Sequence, residues 1–275
     1  MNGSPEQLSE AYARVRERIA AACERAGRAP GSVELLAVSK TFEAERVLAL
    51  AALGQRAFGE NYVQEALAKI ERCRTLGAGP GALSWHFIGP IQSNKTRQIA
   101  TNFDWVHSVD RAKIATRLGE QRPLQLPPLN CCIQVNVSGE ASKSGCEPGD
   151  ALEVARAIVA QPRLRLRGVM AIPEPTDDES LQRRRFAAAR QVLEALREAL
   201  PEWRAEAPHG SSGVATPGVG ASGVATPGIA SPRAATLDTL SMGMSADLEA
   251  AIAEGATIVR VGSALFGERP RKTTA

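Results

Sequence analysis

Lys40 is one of only six lysines in a chain that carries 27 arginines, and it closes an apolar run, Val33 to Val38 followed by Ser39. A lysine at the end of a buried strand is partly desolvated, which favours the neutral amine that attacks aldehydes. The chemistry this offers is a Schiff base; the plain alternative is a side chain that snorkels to solvent along its methylene stem. A second group stands near the other end of the chain, in Ser241-Met242-Gly243 and Arg260-Val261-Gly262-Ser263. Gly243 and Gly262 let backbone N–H groups approach an anion, and Ser241 and Ser263 add hydroxyl donors. A helical turn from Ser263 adds its N-terminus. Either glycine alone fits an ordinary turn, but the two together point to a phosphorylated ligand.

The elements that must position these groups follow from hydrophobic periodicity. Leu8, Tyr12, Val15, Ile19 and Cys23 mark one face of an N-terminal helix, closed by Gly27 and Pro30. Short apolar runs predict strands at Val33–Val38, Arg56–Phe58, Trp85–Ile88 and Trp105–Ser108. Four more follow at Asn130–Val137, Leu166–Ala171, Thr236–Ser241 and Thr257–Val261. Helical patterns follow each one, over Phe42–Leu53, Tyr62–Leu76, Asn94–Ala100, Arg111–Leu118, Asp150–Ala160, Asp178–Leu200, Ala246–Ala253 and Ser263–Phe266. Eight alternating units predict an α/β fold, a single (β/α)8 TIM barrel over 1–275 with an extra N-terminal helix. Periodicity alone also admits a doubly wound open sheet. Between Pro208 and Ala235 the segment SGVATPG occurs twice. Its Gly, Pro, Ser and Ala content reads as a flexible low-complexity insertion.

In a barrel, chemistry sits at the C-terminal ends of the strands, and phosphate commonly binds after strands seven and eight. That places Lys40 after the first strand and the two glycine-serine groups at the phosphate position. Together they suggest pyridoxal 5′-phosphate (PLP). Asn61 ends the second unit and is a further cofactor-binding candidate. His86, within the third strand, is either a lining imidazole or a hydrogen-bonded core histidine. Tyr62 is either a site residue or a core residue of its helix. Lys143 is either a second amine or a solvated loop lysine.

Composition removes other classes. A formal charge of +3 from 33 basic and 30 acidic residues gives no basic footprint, so nucleic acid is not expected as a partner. No run approaches the roughly 18 apolar residues of a membrane span, and the polar start has no apolar leader segment, so a cytoplasmic protein is expected. The five cysteines form no CxxC pair, which argues against a disulfide framework or a zinc site.

The chain resembles the YggS/PROSC-type pyridoxal phosphate homeostasis proteins. The resemblance rests on AVSKT (Ala37–Thr41), FGENYVQE (Phe58–Glu65), WHFIGPIQSNK (Trp85–Lys95), VHSVDR (Val106–Arg111), QVNVSGEASKSG (Gln134–Gly145), RGVMAIP (Arg167–Pro173), LSMGMSADLEAAI (Leu240–Ile252) and VRVGSALFG (Val259–Gly267). It implies a fold-type III barrel similar to the alanine racemase N-terminal domain, with Lys40 as the cofactor lysine. It also implies that Ser241, Gly243, Gly262 and Ser263 hold the phosphate and that Arg260 faces the pyridine nitrogen. A guanidinium there leaves that nitrogen unprotonated and the ring a poor electron sink. The expectation is a monomeric carrier that regulates PLP or delivers it to PLP-dependent apo-enzymes, without robust turnover; the alternative is a weak amino-acid racemase. Racemases resembling this barrel carry a second β domain, and only Glu268 to Ala275 follows the last element. The repeat segment is longer than the family's usual connection, and Cys131-Cys132 replaces residues that are commonly apolar.

Overall fold

A computed structural model describes residues 4–139, 144–201 and 237–267. Lys143 and the repeat segment 208–235 therefore lie outside the described residues. Helix α1 (Pro5–Arg25) precedes eight βα units, with β1 Glu34–Val38, α2 Ala44–Ala52, β2 Ala57–Glu60, α3 Val63–Thr75, β3 Ser84–Phe87, α4 Thr96–Asn102, β4 Trp105–Val109 and α5 Ala112–Gln121. The second half is β5 Leu129–Val135, α6 Ala151–Val159, β6 Leu164–Ala171, α7 Glu179–Ala199, β7 Thr239–Ser241, α8 Leu248–Ala253, β8 Ile258–Val261 and α9 Ser263–Phe266.

The strands pair in parallel in chain order, and β8 returns to β1 to close the barrel. Closure excludes the open doubly wound sheet. The strands read as apolar runs because both their faces are covered. Outward residues such as Phe58, Val106 and Ile133 join the large core beneath the helices, while Leu36, Val38, Ala57, Ile88 and Ile258 form a separate cluster inside the barrel. Helix α9 is only four residues long and cannot cover its share of the barrel wall. Helix α1 packs against α8, α9 and α2 and fills that place. Its start is set by Pro5 at the first turn and by a capping box between Ser4 and Gln7.

Two boundaries differ from the periodicity, and one close crossing adds to them, in ways that matter for function. Strand β2 continues through Gly59 and Glu60 instead of ending at Phe58. Gly59 faces the barrel interior, where an added Cβ would stand 3.1 Å from Ile88 Cδ1, and Glu60 is buried in register with Phe87. Helix α2 begins at Ala44 instead of Phe42, because Thr41 adopts φ 69° and the chain turns before the helix starts. Gly89 follows β3 at a close crossing. A Cβ there would lie 2.2 Å from the carbonyl oxygen of Asn61, so only glycine lets that backbone pass.

Candidate functional site

A cavity of about 300 Å³ opens at the C-terminal face of the barrel, at the lower end of the size range of small-molecule sites. Its lining includes Val38 and Lys40 from the first unit, Asn61 from the second, Ile88 from the third and Ile172 from the sixth. Met244, Ser245 and Ala246 follow β7, and Arg260, Gly262 and Ser263 complete the far wall. The fold thus brings Lys40, Asn61, Arg260, Gly262 and Ser263 to one place across more than 200 residues of sequence. Gly262 is confined by the first strand, since a Cβ would meet Val38 O at 3.3 Å.

Arg260 is buried, with 3% of its surface exposed. Its Nη1 donates to Ser241 O at 2.5 Å and to Ser241 Oγ at 2.8 Å, and its Nη2 donates to Ala171 O at 2.8 Å. Burial lowers the guanidinium to about 10, against an opposing pull from Asp247, so it remains a cation near neutrality. Three of its five N–H donors are used by these bonds, which leaves donors for a bound molecule. Asn61 contributes the complementary signal. Its Oδ1 is buried without a hydrogen-bond partner among the described residues, as expected of an acceptor kept for a ligand hydroxyl.

The other candidates are placed differently. Ser241 and Gly243 do not border the cavity as described. Ser241 holds the guanidinium from below, and Gly243, at φ 92°, lets the chain pass α8, where a Cβ would stand 2.5 Å from Ala251 Cβ. Tyr62 caps α3 and is 57% exposed outside the cavity.

His86 is not among the lining residues of the cavity either; of its two readings, the structure shows the hydrogen-bonded core histidine. It lies inside the barrel, 1% exposed, stacked on Trp105 with ring centroids 5.2 Å apart. Its Nδ1 meets His107 Nε2 at 2.9 Å and its Nε2 meets Ser84 Oγ at 3.0 Å. His107 Nδ1 in turn meets Ser241 Oγ at 2.8 Å. A hydrogen-bonded column therefore runs from Ser84 at the base of β3 to Arg260 beneath the cavity. Two neutral imidazoles satisfy it in either direction of donation. His107 escaped the sequence reading, although alternation with Trp105, which packs on the inner cluster, marks it as inward-facing.

Burial lowers His86 to about 3, with Arg167 adding to the effect, and lowers His107 well below its ordinary value through burial, His86 and Arg260. Between pH 3 and 6.5 the unfolded chain thus binds a proton at residue 86 that the folded chain refuses, so His86's contribution to stability shrinks as pH falls through that window. Comparison with a His86→Gln variant isolates this contribution from that of the buried carboxylates. The stability difference, wild type minus variant, is predicted to fall by about 1.4 kcal/mol per pH unit from pH 6 to pH 4 in urea unfolding. A difference independent of pH would show that His86 is not held neutral.

Comparison with known proteins places this architecture. The family model described as alanine racemase, N-terminal domain, matches residues 11–231. A protein of Pseudomonas aeruginosa named pyridoxal phosphate homeostasis protein is 52% identical over 262 residues, covering 95% of this chain and 96% of the relative. The protein of that name from Escherichia coli K12 is 48% identical, covering 95% and 97%. The solved structure of PipY from Synechococcus elongatus with PLP bound aligns with a TM-score of 0.71 at 32% identity, covering 94% of this chain and 100% of that one. Alanine racemase from Corynebacterium glutamicum shares the fold, with a TM-score of 0.60 at 15% identity, and this chain covers 63% of it. With a family match across most of its length and close relatives spanning nearly all of it, the chain belongs to the pyridoxal phosphate homeostasis proteins, within the alanine racemase N-terminal domain family.

Proposed function

We propose that this protein binds PLP in the cavity at the C-terminal face, joined to Lys40 as a Schiff base, and serves PLP homeostasis by holding the cofactor and yielding it to apo-enzymes. The observation that carries this reading is the donor set around one small cavity. An amine, a buried guanidinium, two serine hydroxyls and a glycine turn converge there from strands one, seven and eight. The relatives named above carry the corresponding name, and PipY has been solved with PLP bound.

When bound, the cofactor supplies an aldehyde and an electron-withdrawing ring. Lys40 would hold that aldehyde through its Nζ, the two protons of the neutral amine leaving with the carbonyl oxygen as water. Ser245, Ser263 and the backbone N–H groups at the start of α9 suit a phosphate. Arg260 holds its proton too firmly, at about 10, to hand it to a pyridine nitrogen, and would donate a hydrogen bond there instead. The ring then stays a weak electron sink, which supports a carrier over a carbanion catalyst. The lining points the same way, since its ionisable side chains among the described residues are Lys40 and Arg260. A two-base racemase needs a second proton donor at the cofactor.

We further propose that the barrel acts as a monomer. Among the described residues the exposed large apolar side chains are Leu53, Tyr62, Leu76, Leu124 and Ile172; Tyr62 and Leu76 stand at opposite ends of α3 and the others in other units, so they form no helix-long stripe. No described helix is long and apolar enough to cross a membrane.

The test is transfer. PLP-loaded protein, freed of unbound cofactor, is expected to reactivate a PLP-dependent apo-enzyme, and to racemise L-alanine far below the about 10 s⁻¹ of a typical enzyme. Racemisation at enzymatic rates, or failure to release cofactor to any acceptor, would contradict the carrier reading.

A further inference from the structure

The turn that presents Lys40 is gripped from behind by three side chains that lie outside the cavity. Thr41 has the one positive φ of any non-glycine residue among those described, at 69°, a conformation that strongly disfavours a β-branched side chain. Its own hydroxyl does not stabilise the turn, for Oγ1 is buried without a hydrogen-bond partner among the described residues. The backbone is held instead from strand β2 and helix α3. Lys69 Nζ donates to Ser39 O at 2.7 Å, and Thr41 N–H donates to Glu65 Oε1. Both peptide groups that flank Lys40 are therefore bonded to α3. Ser39 Oγ donates to Glu60 Oε1 at 2.6 Å, and Lys69 ties the carboxylates together, at 2.6 Å from Glu60 and 3.1 Å from Glu65.

Lys69 and Glu60 have side chains only 4% and 0% exposed. A buried ionic cluster is a poor source of stability, because desolvating its charges offsets much of their attraction, and apolar residues of equal volume commonly do as well. What this cluster supplies is aim. Glu65 and Lys69 are one helical turn apart on α3, and Glu60 ends the neighbouring strand, so the grip is built from the two elements beside β1. On the reading of Lys40 as the cofactor lysine, we propose that Glu60, Glu65 and Lys69 are positioning residues that force the Ser39–Lys40–Thr41 turn into its strained form and so hold Lys40 at the cavity wall. None of the three is among the residues that line the cavity.

Three preparations test this: wild type, Glu65→Ala, and Glu65→Ala combined with Thr41→Gly. Glu65→Ala is expected to weaken PLP binding at least about tenfold, the effect of losing a hydrogen bond to a charged group. Affinity for pyridoxine 5′-phosphate, which has the ring and phosphate but an alcohol in place of the aldehyde, should stay within about twofold of wild type, because the phosphate and ring contacts are untouched. In cofactor-free protein, acetylation of Lys40 by acetic anhydride, followed by peptide mapping, should become at least about threefold faster as the freed turn admits solvent. Thr41→Gly should reverse these changes in the double variant, since glycine adopts positive φ without a Cβ clash and no longer needs the grip.

Wild-type PLP binding in Glu65→Ala would overturn the proposal. So would a parallel loss of pyridoxine 5′-phosphate binding, or a double variant no better than Glu65→Ala, since either result reduces Glu65 to a support of the fold. If wild type binds no PLP covalently, the cofactor reading fails, and the acetylation rates and their reversal by Thr41→Gly still decide whether the grip aims Lys40.

Discussion

Lys40→Ala is expected to abolish the absorption band near about 420 nm that PLP bound through a lysine gives, and with it all borohydride-stable labelling at the site. The loss should be complete. Lys40 is the one amine in the lining of the cavity among the described residues, and the nearby Lys69 is locked behind the turn by Ser39 O, Glu60 and Glu65. Affinity for pyridoxine 5′-phosphate should survive, because the serine, glycine and arginine donors remain. Absorption titrations with both ligands check the two halves of this outcome. A persistent band in Lys40→Ala would move the covalent link to another lysine.

Arg260→Met has the second largest expected effect, and it acts on fold and site together. The guanidinium satisfies Ser241 O, Ser241 Oγ and Ala171 O inside the barrel. Methionine fills similar volume but orphans the two carbonyls, each at a cost of about 1–3 kcal/mol, while Ser241 Oγ keeps its bond to His107. A loss of about 3 kcal/mol in unfolding free energy is predicted from urea denaturation. Whatever fraction folds should bind PLP more weakly and show a shifted absorption maximum, since no donor then meets the ring nitrogen. Unchanged stability would mean that the interior bonds of Arg260 carry little energy. An unchanged spectrum and affinity would remove it from the ring.

The barrel was legible because each strand is covered on both faces and so reads as an apolar run, and because eight such runs alternate with helical periods. The ends of those runs were harder. Gly59-Glu60 reads as a turn, yet it prolongs β2, because Gly59 is excused from packing by the narrow interior and Glu60 finds Lys69 on the following helix. Lys40, Arg260, Gly262 and Ser263 were legible from residue type and position at strand ends. Residue type left His86 with two readings, cavity lining or hydrogen-bonded core, because its partners His107 and Ser84 are chosen by inward register around the barrel. The link from His107 to Ser241 spans 134 positions. Met244 to Ala246 were missed as lining because their place depends on Gly243's turn past α8. The grip on Lys40 was invisible for the same reason: Glu65 and Lys69 show helical spacing, but nothing local says that their target is the turn beside β1.

The measurement that tests the central claim most directly is borohydride reduction of PLP-loaded protein followed by peptide mapping. The cavity's geometry predicts loss of the band near about 420 nm and a single stable pyridoxyl adduct on the peptide carrying Lys40. An adduct on any other lysine, or none after PLP has been supplied in excess, would contradict it.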